Sequence, residues 1–495
     1  MRQDIRFLLN GQPQRVSHAA GDLTLLGWLR EQPHLRGTKQ GCGEGDCGAC
    51  TVALGRPNES GQLVWSPINA CILFLPMVDG AAIRTVDGLA AADGQLHPVQ
   101  AAMVAADAAQ CGFCTPGFVM SLYVAWQNRD GLGQDSIDDT LAGNLCRCTG
   151  YRAIVSAALA LAAPDVHSPA DRSDAAEAAA LAALCAAGDH DDDLVVDQGA
   201  TSFYAPTTPA AFADFYAENP DSVIVAGATD VGLWVTKQHR TLGQMLWTGR
   251  VPQFDRVVRD DDRLFIGPAV THQRFADAIA ADLPELAELM RRFAAQQVRS
   301  SGTICGNIAN ASPIGDLPPA LIALGSAVEL TRLGAVRQLA LEDFFIAYGQ
   351  QDRAAGEFVS GIYMPAQPAP HLRCYKISKR FDQDISAVML AANVEIVDGV
   401  ITAPRLAFGG MAAIPKRAAA AEAALIGKPV EMTTFQQAAV ALADDFTPLS
   451  DMRGSAAYRM ATAQNLLVKY GLDLSEGQKF RLAGAGLASV MERWQ

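Results

Sequence analysis

The sequence predicts an α+β multidomain protein, and three observations lead to this fold class. The chain has 495 residues, half of them hydrophobic, which at about 100 to 200 residues per domain suggests three or four domains. The hydrophobic period is that of strands up to about residue 85, that of helices from 97 to 163, and mixed from 200 onwards. The loop GCGEGDCGAC at 41–50 also packs three cysteines and four glycines into ten positions.

Composition excludes several kinds of partner. The formal net charge of -14 would repel phosphate backbones and anionic lipid, so neither nucleic acid nor a membrane surface is expected to bind. The strongest apolar run, ACILFLPMV at 70–78, is far shorter than the roughly 20 residues of a membrane span, and no N-terminal targeting signal is recognisable. We therefore expect a soluble, cytoplasmic protein whose eleven cysteines bind metal rather than form disulfides.

The first predicted domain, residues 1–86, is a small mixed fold. Its first residues alternate around Asn10-Gly11, the pattern of a hairpin closed by a type I′ turn. Asp22 is predicted to cap a short helix whose apolar side consists of Leu25, Leu26 and Leu29. Three strand candidates follow the cysteine loop, in TVAL, QLVWSPINAC and AAIRTVDGL.

The second predicted domain, residues 87–164, is a four-helix unit. Its helix-start signals are Thr115-Pro116 as cap and first-turn proline, Ser136 with Asp139 three residues on, and Thr149 before YRAIVSAALALAA.

The rest of the chain is predicted to contain a linker and two more domains. Residues 165–199 are Ala-rich and then acidic, which predicts a linker with one helix. Short strands and helices alternate in the domain at 200–370, which carries the Gly-rich loops AGATDVG at 226–232 and SSGTICGNIANASPIGD at 300–316. The last domain, 371–495, begins with strands and ends mostly helical.

Three interpretations compete for the loop at 41–50. Gly43, Gly45 and Gly48 spell G-x-G-x-x-G, but the motif follows the polar segment RGTKQ and precedes the strand TVAL. A dinucleotide loop would instead join a strand to a helix. A disulfide knot is disfavoured by the reducing compartment, which leaves a zinc knot or an iron-sulfur cluster.

The cysteine spacing supports the cluster. Cys42, Cys47 and Cys50 follow C-x4-C-x2-C, with Cys71 as a distant fourth, which is the plant-type spacing for a 2Fe-2S cluster. A loop that turns its amides toward a cluster needs positive φ angles, which glycine adopts cheaply.

A second group consists of Cys111 with Cys114 and of Cys146 with Cys148. The last cysteine of each pair comes just before a predicted helix start, where free amides and the helix dipole stabilise thiolates and an anionic cluster. Zinc is the alternative for two cysteine pairs, although a one-residue spacer is tight for a tetrahedral site. The isolated residues Cys185, Cys305 and Cys374 are expected to act as small buried hydrophobes.

The order of GCGEGDCGACTV, QCGFCTPGF and NLCRCTGYR resembles the iron-sulfur half of the xanthine dehydrogenase family of molybdenum hydroxylases. The resemblance implies a ferredoxin-like β-grasp domain with one 2Fe-2S cluster and a four-helix domain with another. It also implies that Gln110 contacts the pterin of the molybdenum cofactor, whereas a helix-end glutamine facing water would otherwise be expected.

The resemblance continues into the second half of the chain. IVAGATDVG and FAAQQVRSSGTICGNIANASPIGD look like the two FAD loops of the family, and DMRGSAAYR at 451–459 resembles its C-terminal flavoprotein domain. This implies a two-part α+β FAD-binding domain of the xanthine dehydrogenase and CO dehydrogenase flavoprotein type. We expect both loops to be strand-to-loop turns that bind the pyrophosphate through backbone amides, without a Rossmann helix.

The resemblance also implies individual flavin-site residues. The residues that would surround FAD are Ile224, Val225, Ala226, Gly227, Ala228, Thr229, Asp230, Val231, Phe293, Thr303, Gly306, Asn307, Ser312, Asp316, Val359 and Lys376. Asp384, in SKRFDQDIS, would lie in the loop where nicotinamide docks, whereas a solvated strand edge is the alternative for these charges. Cys305 departs from the family pattern, because related loops often have glycine there.

The function implied is electron transfer. Longer family members continue into a molybdenum region, so this chain resembles the bacterial small subunit, which pairs with a molybdopterin-binding large subunit, usually as an α2β2 heterotetramer. Electrons from hypoxanthine or xanthine oxidation to urate would pass from the partner's molybdenum through the second cysteine group, the first group and FAD to NAD.

Two alternatives to this function remain. The same chain could serve an aldehyde or N-heterocycle hydroxylase, although fusion of FAD and both clusters in one polypeptide favours the xanthine enzyme. A zinc-binding, non-catalytic scaffold without flavin is the other.

Overall fold

The computed structural model describes residues 1–134, 136–162, 174–186 and 191–476. Residues 163–164 of the second predicted domain, residues 165–173 and 187–190 of the predicted linker, and residues 477–495 of the last predicted domain lie outside the described residues.

The N-terminal part is a mixed five-stranded sheet with one helix across it, as predicted. The strand order is β2-β1-β5-β3-β4, with β1 parallel to β5. The predicted hairpin is confirmed, since β1 and β2 pair in antiparallel register and Asn10 and Gly11 have φ angles of 50° and 76°. The elements are β1 (Ile5–Leu9), β2 (Gln12–Val16), α1 (Leu25–Glu31), β3 (Thr51–Pro57), β4 (Leu63–Asn69) and β5 (Ala82–Arg84).

The predicted cap of α1 is wrong. Thr24 is the N-cap, and its hydroxyl accepts a hydrogen bond from the Gly27 amide. Asp22 instead accepts from the Thr201 hydroxyl, far along the chain, at 3.2 Å. The buried leucines of α1 are the predicted ones, Leu25, Leu26 and Leu29.

Four helices follow, as predicted, although one begins a residue earlier and another begins later than the sequence indicates. Cys114 rather than Thr115 is the N-cap of the second helix. The fourth helix begins at Arg152, because the Thr149 hydroxyl is engaged by the Tyr151 amide and Tyr151 has a φ of 67°. The helices are α2 (Pro98–Ala105), α3 (Thr115–Asn128), α4 (Ile137–Leu141) and α5 (Arg152–Ala160).

The segment predicted as a linker contributes structure to its neighbours. Its helix α6 (Asp174–Cys185) packs against the N-terminal sheet and the four helices. Its strand β6 joins a four-stranded sheet of order β6-β7-β9-β8, because Leu194 and Val196 are apolar residues buried on one side of that strand. The elements of this sheet are β6 (Leu194–Gln198), β7 (Thr201–Ala205), α7 (Pro209–Glu218), β8 (Val223–Val225), α8 (Val231–Thr236) and β9 (Gln244–Trp247).

A five-stranded antiparallel sheet of order β10-β11-β16-β12-β13 comes next. Its strands and the small β14-β15 pair are β10 (Val257–Asp260), β11 (Arg263–Ile266), β12 (Ala327–Arg332), β13 (Ala335–Ala340), β14 (Phe345–Ala347), β15 (Gln350–Gln351) and β16 (Phe358–Pro365). The helices among them are α9 (His272–Ile279), α10 (Pro284–Arg292), α11 (Gln296–Arg299), α12 (Ile304–Asn310), α13 (Leu317–Ala323) and α14 (Leu341–Phe344).

The last described part packs three helices on a four-stranded sheet of order β17-β18-β21-β22. Its elements are β17 (Arg373–Ile377), β18 (Val388–Asn393), β19 (Ile396–Val397), β20 (Val400–Ile401), β21 (Arg405–Gly409), β22 (Lys416–Arg417), α15 (Ala419–Leu425), α16 (Met432–Asp445) and α17 (Ala456–Ser475). No helix in the described ranges is long and apolar enough to cross a membrane.

The apolar cores cross the predicted domain boundaries. One core joins residues of the N-terminal sheet, such as Phe7 and Phe74, to residues of the β6–β9 sheet, such as Phe203 and Trp247. Another core joins the opposite side of the N-terminal sheet to the four helices. The N-terminal sheet is therefore held between the helical unit and the β6–β9 sheet.

Candidate iron-sulfur and flavin sites

The structure brings the first cysteine group together. The thiol of Cys42 contacts those of Cys47 and Cys71, and Cys71 also contacts Cys50. Cys50 and Cys71 are buried, whereas the other two are half-buried. Hydrogen bonding to Cys47 and then to Cys71 lowers the pKa of the Cys42 thiol, and the same contacts raise the pKa of the Cys47 and Cys71 thiols, so Cys42 is the thiol of this trio that is favoured as the thiolate.

The loop around these thiols has the expected geometry for an anionic cluster. Backbone amides of Glu44, Asp46 and Cys47 each donate to the Cys42 sulfur at 3.4 Å. Gly43, Gly45 and Gly48 all have positive φ angles between 68° and 77°. Successive amides that point inward form a concave anion site, so the residues present fit a 2Fe-2S group.

The second cysteine group is arranged as two contacting pairs on a more open surface. Cys114 lies against Cys146, and Cys111 lies against Cys148. Cys111 and Cys148 are exposed, and the neighbouring Gln110 is exposed as well. Among the described residues, no three or more His, Cys, Asp or Glu side chains are grouped as ligands of a metal ion would be.

A cavity of about 770 Å³ lies between the two Gly-rich loops. The predicted flavin residues in its lining are Ile224, Ala226, Gly227, Ala228, Thr229, Asp230, Val231, Phe293, Thr303, Gly306, Asn307, Ser312 and Val359. Three predicted residues are outside the lining: Val225, Asp316 and Lys376. Val225 is instead fully buried in β8.

The two loops meet closely, and their local structure differs from the expectation. A Cβ atom at Gly227 would lie 1.9 Å from the Ser301 carbonyl oxygen, so only glycine fits there. Both loops contain helical residues, since α8 begins at the end of the first loop and α12 lies within the second. The second loop is also preceded by the helix α11 rather than by a strand, because residues 296–299 form one helical turn.

Three residues that line this cavity have a buried polar atom without a partner. Thr248 Oγ1, His272 Nδ1 and Asn307 Oδ1 are buried and have no hydrogen-bond partner within the described residues, and all three residues line the cavity. An unpaired buried polar group costs about 1 to 3 kcal/mol, so these atoms fit a polar occupant such as FAD. Sequence reasoning missed Thr248 and His272 because neither lies in a glycine-rich motif.

Lys376 and Asp316 form a buried ion pair rather than a part of the cavity wall. Lys376 Nζ donates to Asp316 at 2.5 Å and to the Ser386 hydroxyl at 3.0 Å, and Ser386 donates to the other Asp316 oxygen. The ionic groups of both are almost fully shielded from solvent. The pair ties α13 to β17 and to the start of β18.

The loop between β17 and β18 contains Asp384, the residue predicted on the nicotinamide side. Asp384 is half-buried and accepts a hydrogen bond from the Arg380 amide at 2.9 Å. The same loop is held to α10, because the Arg292 guanidinium lies 4.2 Å from the ring centre of Phe381.

The first cysteine group lies against the flavin cavity. A side chain at Gly232, next to the cavity-lining Val231, would come within 2.5 Å of the carbonyl oxygen of Ile72, the neighbour of Cys71. Lys237, just after α8, donates to the Cys42 carbonyl oxygen at 2.9 Å. Of the two cysteine groups, the first is therefore packed directly on the flavin half.

Asp230 supports one test of the cavity. Burial raises the pKa of its carboxyl group, and the residue lines the cavity. We expect Asp230→Ala to weaken FAD binding, because a buried flavin group left unpaired costs about 1 to 3 kcal/mol, or roughly 5- to 150-fold in Kd. Flavin absorbance per chain measures this, with the exposed Asp221→Ala as control; full occupancy in the Asp230 variant would exclude it as a ligand.

His272 predicts an acid sensitivity. Burial, and then the nearby Arg299, lower the pKa of His272 from 6.5 to about 3. Below pH 6.5 the unfolded imidazole binds a proton and the folded one does not, so this contribution to stability is present at neutral pH and is lost as pH falls toward 3. Between pH 7 and pH 5, the free energy of unfolding should fall by about 2 kcal/mol more in the unmodified chain than in His272→Gln, which has no imidazole to protonate. Melting temperatures across this range measure the difference, and parallel curves for the two proteins would contradict it.

Comparison with known families agrees with this arrangement. Family models for a 2Fe-2S iron-sulfur cluster binding domain and a [2Fe-2S] binding domain match residues 7–75 and 85–159. Models for the FAD binding domain in molybdopterin dehydrogenase and the CO dehydrogenase flavoprotein C-terminal domain match residues 199–367 and 373–474.

Individual relatives and structures are similar over large parts of the chain. Xanthine dehydrogenase of Drosophila pseudoobscura pseudoobscura is 28% identical over 98% of this chain, and that of Drosophila subobscura is 29% identical over 97%. This chain spans 40% of the length of each of these relatives.

Two solved structures share the fold. The structure of quinoline 2-oxidoreductase from Pseudomonas putida 86 matches 57% of this chain and 99% of its own, at 25% identity and a TM-score of 0.52. Carbon monoxide dehydrogenase from Hydrogenophaga pseudoflava matches 55% and 96%, at 24% identity and a TM-score of 0.52. The chain therefore has two 2Fe-2S domains, an FAD-binding domain and the flavoprotein C-terminal domain in this order, an arrangement consistent with the iron-sulfur and flavin part of a molybdenum hydroxylase.

Proposed function

We propose that this chain is the electron-transfer subunit of a xanthine dehydrogenase. Its partner is a molybdopterin-binding large subunit that oxidises hypoxanthine and xanthine to urate, and the two assemble as an α2β2 heterotetramer. Electrons enter at the second cysteine group, pass to the first group and to FAD, and leave on NAD.

The observation that carries this proposal is the order of burial. Cys111 and Cys148 of the second group are exposed, whereas Cys50 and Cys71 of the first group are buried. The first group also contacts the flavin half through Ile72 and Cys42. The exposed second group can receive electrons from a partner, and the buried first group lies beside the cavity. This order suits electron transfer in one direction, from the partner to the flavin.

The choice of xanthine rests on how the relatives match. The two Drosophila xanthine dehydrogenases align with 97–98% of this chain inside one polypeptide, so they carry both iron-sulfur domains and the flavin domains together. The quinoline 2-oxidoreductase structure aligns with 57% of this chain and 99% of its own. An N-heterocycle hydroxylase is therefore the second candidate.

The chain's own residues would bind and orient the groups that carry electrons. The two clusters and FAD, when bound, supply the redox chemistry. The inward amides of the loop at 42–50 stabilise thiolates, and the buried positions of Cys50 and Cys71 exclude water. At the cavity, the amides of the two Gly-rich loops would bind the pyrophosphate, while Thr248, His272 and Asn307 would hydrogen-bond the remaining polar groups.

The test compares the single chain with the complex. We expect the purified chain to show visible absorbance from flavin and iron-sulfur charge transfer and to transfer electrons from NADH to an artificial dye. It should oxidise xanthine only after the large subunit is added, and NADH should then form.

The outcomes separate the candidates. A colourless chain would support a zinc-binding scaffold and overturn the proposal. Xanthine oxidation by the chain alone would also overturn it, because the oxidation site would then lie here. A complex that oxidises quinoline or an aldehyde and leaves xanthine untouched would assign the subunit to a different hydroxylase.

A further inference from the structure

One buried side chain of the flavin half contacts both cysteine-bearing domains. Gln297, on α11, is 1% exposed. Its Nε2 donates to Thr51 Oγ1 at 3.3 Å, to Ser121 Oγ at 3.1 Å and to Asn144 Oδ1 at 3.2 Å. Since an amide nitrogen has two protons, the three acceptors share them in one compact network.

The three partners of Gln297 stand next to the predicted cluster ligands. Thr51 follows Cys50, and Asn144 precedes Cys146 by two residues. Ser121 lies on α3, whose N-cap is Cys114. The network therefore contacts the chain beside both cysteine groups.

The partners are also bonded to one another. The Ser121 hydroxyl donates to Asn144 Oδ1 at 2.6 Å, and Asn144 Nδ2 donates to the Gly48 carbonyl oxygen at 3.1 Å. The Thr51 hydroxyl donates to the same carbonyl at 2.6 Å. In addition, the Leu145 amide donates to the Cys47 carbonyl oxygen at 3.0 Å, so the two cysteine loops are joined directly.

Glycines make this close packing possible. A Cβ atom at Gly143 would lie 1.8 Å from Gln297 Oε1, and one at Gly48 would lie 2.1 Å from the Gly143 carbonyl oxygen. One at Gly117 would lie 2.2 Å from the Gly48 carbonyl oxygen. The segments that contain Gly48, Gly117, Gly143 and Gln297 therefore come into direct contact, either between backbones or between a backbone and the side-chain amide of Gln297.

Gln297 is also near the flavin cavity in the sequence. It lies between the cavity-lining residues Phe293 and Thr303. The Ser301 hydroxyl donates to the Gln297 carbonyl oxygen at 3.3 Å, and the Ser301 carbonyl is the group that Gly227 of the first flavin loop approaches. Movement of Gln297 would therefore be passed to the flavin loop as well.

We propose that Gln297 is a positioning residue that fixes the spacing of both clusters and the flavin. Its amide bonds to residues beside the predicted cluster ligands, and it is not among the residues that line the cavity, so it acts through the loops that hold these groups. The proposal rests on the relay described under Proposed function, but its first measurement does not depend on NAD.

The test uses the full chain with Gln297→Met, which keeps the length of the side chain and removes its hydrogen bonds. Gln296→Met is the matched control, because Gln296 is half-buried on the same helix and makes no side-chain hydrogen bond within the described residues. We expect both variants to keep full iron and flavin contents. After chemical reduction, only Gln297→Met should change the magnetic coupling between the two reduced clusters, since that coupling depends on their separation.

A second measurement follows the rate at which NADH reduces the clusters. The rate of electron transfer falls as the distance between two centres grows, so we expect Gln297→Met to reduce the clusters more slowly, while NADH-to-dye transfer stays near its normal rate. If Gln297→Met does not fold, Ser121→Ala, which removes one acceptor, should change the coupling in the same direction.

The outcomes distinguish this inference from the proposed function. Unchanged coupling and unchanged rate in Gln297→Met would overturn the positioning role. Failure of NADH to reduce the clusters even in the unmodified chain would instead count against NAD as the acceptor, and the coupling measurement would still decide the role of Gln297. A lower melting temperature with unchanged coupling would leave Gln297 a purely structural residue and overturn the proposal.

Discussion

Replacing Cys114 with serine is expected to abolish substrate-dependent NADH formation by the complex while NADH-to-dye transfer continues. Cys114 pairs with Cys146 at the start of α3, in the group that the proposed relay places between the partner and the first group. Loss of a thiolate ligand removes that group from the path, whereas the flavin cavity contains no residue of this domain. The measurement is steady-state activity with xanthine and NAD, next to NADH and dye.

Cys185→Ser is the matched control for this change. Cys185 is also a half-buried cysteine of the iron-sulfur half but belongs to neither group, so both activities should persist. Paramagnetic spectra of the reduced protein should show that Cys114→Ser loses one of two signals. Loss of NADH-to-dye transfer in a variant that keeps its FAD would show that the relay runs in another order.

The second large effect concerns stability. Asp316→Ala is expected to destabilise the fold by about 3 to 5 kcal/mol, because it leaves the Lys376 ammonium buried without its partner. The pair is 2.5 Å apart and nearly inaccessible to water. Chemical denaturation of the purified chain measures the change, and the melting temperature should fall in parallel.

A double variant separates charge from packing. Adding Lys376→Met to Asp316→Ala should recover much of the loss, because the uncompensated charge is then gone. Asp384→Ala, which removes a half-buried carboxylate paired with Arg380 at 3.6 Å, should cost less than about 1 kcal/mol. Equal losses in the free energy of unfolding for Asp384→Ala and Asp316→Ala would show that burial of the ion pair does not determine the size of the effect.

Local chemistry explains which predictions from sequence succeeded. The Asn10-Gly11 turn, the apolar side of α1 and the change from strands to helices depend on neighbouring residues, and the structure has all three. The cysteine spacings also predicted two groups of residues, and within each group the structure has thiols in contact.

Tertiary contacts explain the differences. Asp22 was expected to cap α1, yet its carboxylate is engaged by Thr201, about 180 residues away. Lys376 was expected beside the flavin, but its charge is neutralised by Asp316 in the interior. His272 gave no sequence signal, since only the folded chain brings α9 to the wall of the cavity. Such partners are distant in the sequence and are brought together by packing between domains, so local sequence patterns do not predict them.

The core shared between the N-terminal sheet and the β6–β9 sheet has a consequence for biosynthesis. The N-terminal sheet is complete at Arg84, but the residues that cover one of its apolar sides extend to Trp247, roughly 160 residues later. At about 5 to 20 residues per second, a ribosome needs roughly 8 to 30 s to make them. During that interval Gly232 and Lys237, which later cover the backbone beside Cys71 and Cys42, do not yet exist. The nascent chain therefore leaves the backbone beside Cys42 and Cys71 without its flavin-half cover until that half is made, so this side of the first cysteine loop stays open to solvent longer than the side packed on Asn144 and Leu145.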